Sequence, residues 1–149
     1  MKTKIPVILL ILAAVIAFAF GNRIFNQDHE PWTKVQLLAP AALAKTMNNP
    51  EEIKPVIFSV GPAGLIKGSV DIGPSQEKQN LQKLKNELAK LPKDKNIVIY
   101  CGCCPFKDCP NIRPAFKLLN EMKFTNHKLL DLSQNLKADW IDKGYPVSE

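Results

Sequence analysis

The chain has 149 residues, a formal net charge of +6, and 46% hydrophobic against 23% charged residues. That length and balance describe one globular domain and exclude a disordered chain. Lys2, Lys4 and Arg23 all precede Asp28, and without them the charge falls to +3. No aromatic residues are interleaved with the charges, so the composition argues against nucleic acid as a partner.

Residues 1–22 read as an export signal or an N-terminal membrane anchor. Lys2 and Lys4 form a positive start, Ile5 to Phe20 is sixteen uncharged and almost wholly apolar residues, and Ala17-Phe18-Ala19 offers a small-x-small cleavage site. A helix of that length spans about 24 Å, short of a hydrocarbon core of about 30 Å. A cleaved signal and a retained anchor both fit. Either leaves the positive end in the cytoplasm and the domain outside, in the periplasm or on the outer face of the cytoplasmic membrane. Residues 23–31 are polar and aperiodic and read as a tether, which leaves 32–149 as the folded domain.

Trp32 to Leu38 predicts a first strand, and Pro40 opens a helix carrying Leu43 and Met47 that Asn48-Asn49-Pro50 ends. Val56 to Val60, bounded by Pro55 and Gly61-Pro62, predicts a buried strand, and Ser69 to Ile72 a short one. Leu81, Leu84, Leu88 and Leu91 recur at three- and four-residue steps and define the buried face of a helix. Ile97 to Tyr100 predicts a β-branched strand. Phe116, Leu118, Leu119 and Met122 predict a helix up to Lys123, and His127 to Leu132 a last strand. Ser133 then caps a final helix carrying Leu136, Trp140 and Ile141 that stops at Gly144. Strands alternating with helices predict a parallel α/β sheet with helices on both faces.

All four cysteines lie in Cys101-Gly102-Cys103-Cys104-Pro105-Phe106-Lys107-Asp108-Cys109, directly after the Ile97–Tyr100 strand. In parallel sheets ligands gather at the carboxyl ends of strands. A thiolate there can be stabilised by loop amides and by the positive end of the helix that follows, with Asn111 as its cap and Pro114 in its first turn. Lys107 and Arg113 are candidates for holding an oxyanion, Arg being better suited to a forked contact. Cys101-x-x-Cys104 is also spaced like a redox pair. Four cysteines allow three disulfide pairings, and Cys103, Cys104 and Cys109 are candidate resolving or disulfide partners. By ligand type Cys101, Cys103, Cys104 and Cys109 also suit Zn²⁺ or Cu(I), although they do not form two separated Cys-x2-Cys knuckles. His29 and His127 are isolated. Trp140 and Tyr145 read as packing residues, and Asp108 as a turn residue.

Three ordered landmarks resemble the rhodanese-like (sulfurtransferase) family: Gly64-Leu65-Ile66-Lys67-Gly68-Ser69-Val70-Asp71-Ile72, the strand Ile97 to Tyr100 ending at Cys101, and Trp140 followed by Gly144-Tyr145-Pro146-Val147. The resemblance covers about Lys34 to Val147. It implies a five-stranded parallel sheet and transfer of sulfane sulfur through a persulfide on Cys101. Gly102, Cys103, Cys104, Lys107 and Arg113 would form the substrate loop. The implied partners are a small sulfur donor and an acceptor thiol, with no cofactor, and the implied state is a monomer. The chain departs from the family pattern in having Ser59 where an acidic residue is usual, Leu65 where His is usual, and a cysteine loop longer by several residues. Leu130-Asp131-Leu132-Ser133 also lacks the family's glycine pair. The other reading of the loop is a non-catalytic module bearing a disulfide, redox or soft-metal site.

Overall fold

The structure, a computed structural model, describes residues 30–62 and 64–148. The expected leader, most of the tether and His29 lie outside the described residues. Five strands, β1 (Leu37–Leu38), β2 (Val56–Ser59), β3 (Val70–Asp71), β4 (Ile97–Tyr100) and β5 (His127–Leu130), form one sheet in the order β1-β5-β4-β2-β3. Every neighbouring pair is parallel. Among the described residues four α-helices complete the α/β fold: α1 (Pro40–Asn48), α2 (Lys78–Leu88), α3 (Ile112–Glu121) and α4 (Leu136–Asp139).

The central strand shows why the sheet needs cover on both sides. Successive side chains of a strand point to opposite faces, and all four residues of β4 are buried. Ile97 and Ile99 join a cluster with Leu84 and Leu88 of α2 and Ile112, Ala115, Phe116 and Leu119 of α3. Val98 and Tyr100 join the opposite cluster, with Leu43 and Ala44 of α1 and Leu136 and Trp140 at α4. A continuous β-branched run is the sequence such a two-sided strand requires. Leu84 and Leu88 of α2 are fully buried and Leu81 partly so, as their spacing predicts, whereas Leu91 lies beyond the helix end at Leu88 and packs partly buried from the turn that follows.

Several boundaries differ from the sequence expectation for local reasons. Lys34–Gln36 is a 3-10 turn that shortens the first strand to Leu37–Leu38. The tether's last residues are attached to α3, because Glu30 pairs with Arg113 at 2.6 Å and the Pro31 carbonyl accepts from Asn120 at 2.8 Å. Helix α3 starts as early as Ile112 and ends before Lys123, whose φ of 62° reverses the chain. The final helix is capped by Asn135 rather than Ser133: its Oδ1 accepts from the Ala138 N–H at 2.9 Å. It is only one turn long. Trp140 is fully buried and donates from Nε1 to the Pro146 carbonyl at 2.9 Å, whereas Ile141, expected inside, is 39% exposed. Among the described residues, no helix is long and apolar enough to cross a membrane.

Tyr100 ties the sheet to the segment before β3. Its buried hydroxyl accepts from the Ile66 N–H at 3.2 Å and meets Ser69 Oγ at 3.2 Å. Removing it leaves a buried N–H without a partner. Tyr100→Phe is therefore expected to lower the stability measured by urea unfolding by about 1–2 kcal/mol. An unchanged midpoint would show that the hydroxyl contributes nothing.

Candidate functional site around Cys101

Cys101 is the first residue past β4, and strand alternation carries its side chain to the α2–α3 face with Ile97 and Ile99. The site is thereby set at the carboxyl end of the central strand, between β2 and β5. The loop that follows is anchored at both ends. Gly102 accepts from the Leu136 N–H at 3.1 Å, and a Cβ on it would lie 2.8 Å from Leu136 Cβ. Further along, Phe106 is buried against Trp32 and its N–H donates to the Leu132 carbonyl at 3.1 Å. These contacts fix a short 3-10 turn, Phe106–Asp108, and place Cys109 in the core.

The Cys101 sulfur is enclosed. The residue has no exposed surface, and a Cβ on Gly61, just beyond β2, would lie 2.5 Å from Sγ. Cys103 Sγ is 3.3 Å away, and Cys103 Sγ is in turn 3.3 Å from Cys104 Sγ. Asn111 Nδ2 donates to Cys101 Sγ at 3.6 Å. The sulfurs of Cys101, Cys103 and Cys109 all lie within 4.8 Å of one another, and all four cysteines stand as free thiols. Those three sulfurs could close on a soft cation. Cys104 stands outside the group, so the four-thiolate shell suggested by composition is not assembled.

Hydrogen bonds decide which sulfur carries the charge. The Cys109 thiol donates to Cys101, and the Cys103 backbone N–H, the Cys103 thiol and Asn111 donate as well. Against the opposing effect of burial, they hold Cys101 down at about 5. The donors show the reciprocal effect. Burial, then the bond to Cys101, pushes Cys103 up to about 12; Cys109 is also raised, first by its bond to Cys101 and then by burial. The cluster is thus one buried thiolate served by protonated neighbours, and the anion resides on Cys101.

The other expected site residues have different placements. Asn111 does not cap α3: its backbone is already helical (φ −82°, ψ −31°). Its side chain instead links Cys101 to the segment before α2, since Oδ1 accepts from the Gln76 N–H at 3.3 Å, and its carbonyl accepts from the Ser75 hydroxyl. Arg113, expected to hold an oxyanion, spends its guanidinium on the carbonyls of Cys109 (3.3 Å) and Lys107 (2.6 Å) and on Glu30. Its planar fork braces the loop. Lys107 and Asp108 are exposed, Cys103 is exposed and Cys104 half-buried. His127 stands away from the thiols, its ring tilted against Phe116 at 4.7 Å and bonded to Asn120 at 2.9 Å. Tyr145 packs edge-on against Trp140 at 5.2 Å.

Gly61 and Ser75 are site residues that sequence reasoning missed, and Asn111 was read only as a helix cap. For Gly61 the available signal was the Gly-Pro after a buried strand, read only as a boundary. Gly61→Ala would force a methyl into the Cys101 sulfur. We expect a loss of about 1–3 kcal/mol in urea unfolding. Wild-type stability with an unaltered Cys101 would contradict the close approach.

No protein-family model matches the chain, and no curated protein matches it. Among solved structures it is similar to a cysteine-to-serine variant of EanB in complex with hercynine. The match has a TM-score of 0.52, 16% sequence identity, and coverage of 81% of this chain. The chain spans 29% of that neighbour's length. At this identity the likeness concerns the fold: an α/β domain on a parallel sheet.

Proposed function

We propose that the chain is an exported rhodanese-like sulfurtransferase with Cys101 as its nucleophile. The observation that carries this reading is the sulfur at the end of β4, met by two thiols, one backbone N–H and one side-chain amide. A thiolate is the form that attacks sulfur. The Cys101 thiolate attacks the outer sulfur of a donor such as thiosulfate, a new S–S bond forms, and the donor's S–S bond breaks with its electron pair leaving on sulfite. An acceptor thiolate then attacks the outer sulfur of the persulfide and returns Cys101 to its thiolate. Charge and sulfur balance in both steps, and no cofactor enters. The landmarks from Gly64 to Ile72, from Ile97 to Cys101 and from Trp140 to Val147 support the family assignment. The apolar Ile5–Phe20 segment supports export, as a cleaved signal or an anchor.

Incubation with thiosulfate followed by intact-protein mass spectrometry tests the reading. Wild type is expected to gain one sulfur atom per chain, and Cys101→Ala none. An adduct that persists in Cys101→Ala, or none on wild type, would sink the idea. Because the thiolate exists above its depressed pKa, uptake is expected to stay level between pH 8 and pH 6. It should fall as the pH drops through about 5. A rate that keeps rising toward pH 9 would indicate an ordinary thiol.

A further inference from the structure

The Cys101 sulfur is placed well for holding an anion and badly for meeting a partner. Gly61 closes it off on the β2 side and Asn111 on the α3 side, while Cys109 lies behind it with no exposed surface of its own. Among the described residues whose side chains bond to the sulfur, Cys109 and Asn111 are buried and Cys103 is exposed. The sulfurs of Cys101, Cys103 and Cys109 lie within 4.8 Å of one another, with exposed Cys103 at 3.3 Å from Cys101 and half-buried Cys104 at 3.3 Å from Cys103. A thiol carried on a peptide or protein cannot approach Cys101 as closely as Cys103 already stands.

We propose that Cys103 is a second catalytic cysteine, which takes the sulfane sulfur from buried Cys101 and presents it at the surface to a bulky acceptor, a peptide or protein thiol. The inference rests on the sulfur-transfer reading and adds to it the exit step and the class of acceptor. In that step the Cys103 thiol first gives its proton to the outer sulfur of the Cys101 persulfide anion, and the Cys103 thiolate so formed attacks that sulfur. A bond forms between them, and the bond to Cys101 breaks with its electron pair returning to Cys101. The proton stays on the transferred sulfur. The products are a Cys103 persulfide and a Cys101 thiolate, with no net change in charge or oxidation state. The direction follows from the leaving group, because the thiolate that departs is the one the site stabilises. Small reagents need no such carrier.

The difference in acceptor size supplies the test. Wild type, Cys103→Ser and Cys103→Ala are loaded with thiosulfate and freed of excess. Release is then followed by mass spectrometry with cyanide and, separately, with glutathione. For both variants the expected result is a Cys101 persulfide whose discharge to glutathione is slowed at least about tenfold more than its discharge to cyanide, the cyanide rate registering whatever the loss of the Cys103 hydrogen bond costs. Peptide mapping of alkylated wild type during the glutathione reaction is expected to catch sulfur on Cys103. Unchanged release to glutathione, or an equal slowing with both acceptors, would overturn the relay while leaving sulfur transfer at Cys101 intact. Failure of both variants to load would also overturn it, by placing Cys103 ahead of Cys101. A wild-type protein that takes up no sulfur would instead remove the transfer reading, and the relay with it.

Discussion

A buried sulfur anion persists only where hydrogens are turned toward it, and the arrangement of this loop follows from that requirement. An ionised thiol withdrawn from water loses its hydration and must recover it from fixed donors. Around Cys101 the donors are the Cys109 and Cys103 thiols, the Cys103 N–H and the Asn111 amide. Each is placed by a different part of the fold. Cys109 is held in the core by the turn that Phe106 anchors, Cys103 follows Gly102 where α4 pins it, and Asn111 is fixed by Ser75 and Gln76 ahead of α2. The loop is long because it must bring a thiol back beneath the strand end as well as over it.

This accounts for features that would otherwise be unrelated. Gly61 leaves the space the sulfur fills. Arg113 serves the loop rather than a ligand, bonding the carbonyls of Lys107 and Cys109 and pairing with Glu30, and it also lies over the Trp32 ring at 5.6 Å. That contact links the segment ahead of the sheet to the loop, and Trp32 packs on Phe106 and Phe116 in turn. The site is therefore supported from both sides of α3. Concentrating the negative charge on the innermost reactive sulfur also sets the direction in which a carried sulfur atom would move.

Much of the architecture was legible because it is periodic. The run Ile97–Tyr100 could only be a strand covered on both faces, and the α2 leucines could share only one helical face. Helix ends were less legible. Ser133 and Asn135 are both competent caps, and only Asp139, which accepts from the N–H groups of Gln134 and Asn135, shows why the later one is used. Within the site, the place of Cys101 at the carboxyl end of a buried strand was legible from the run that precedes it. The partners that set its charge were not. Side-chain direction in an irregular loop follows no period, so Asn111 read as a cap and Arg113 as a ligand-binding cation until the backbone showed what each touches. The expectation of backbone amides was only partly met, since thiols supply much of what faces the sulfur.

The central claim is that Cys101 is ionised at neutral pH. Ultraviolet absorbance of the thiolate, followed from pH 3 to pH 8 on the reduced protein and on Cys101→Ala, tests it without a substrate. The account predicts a single-thiolate step in wild type with a midpoint near pH 5, absent from the variant. A wild-type protein that shows no thiolate below pH 8 would contradict it.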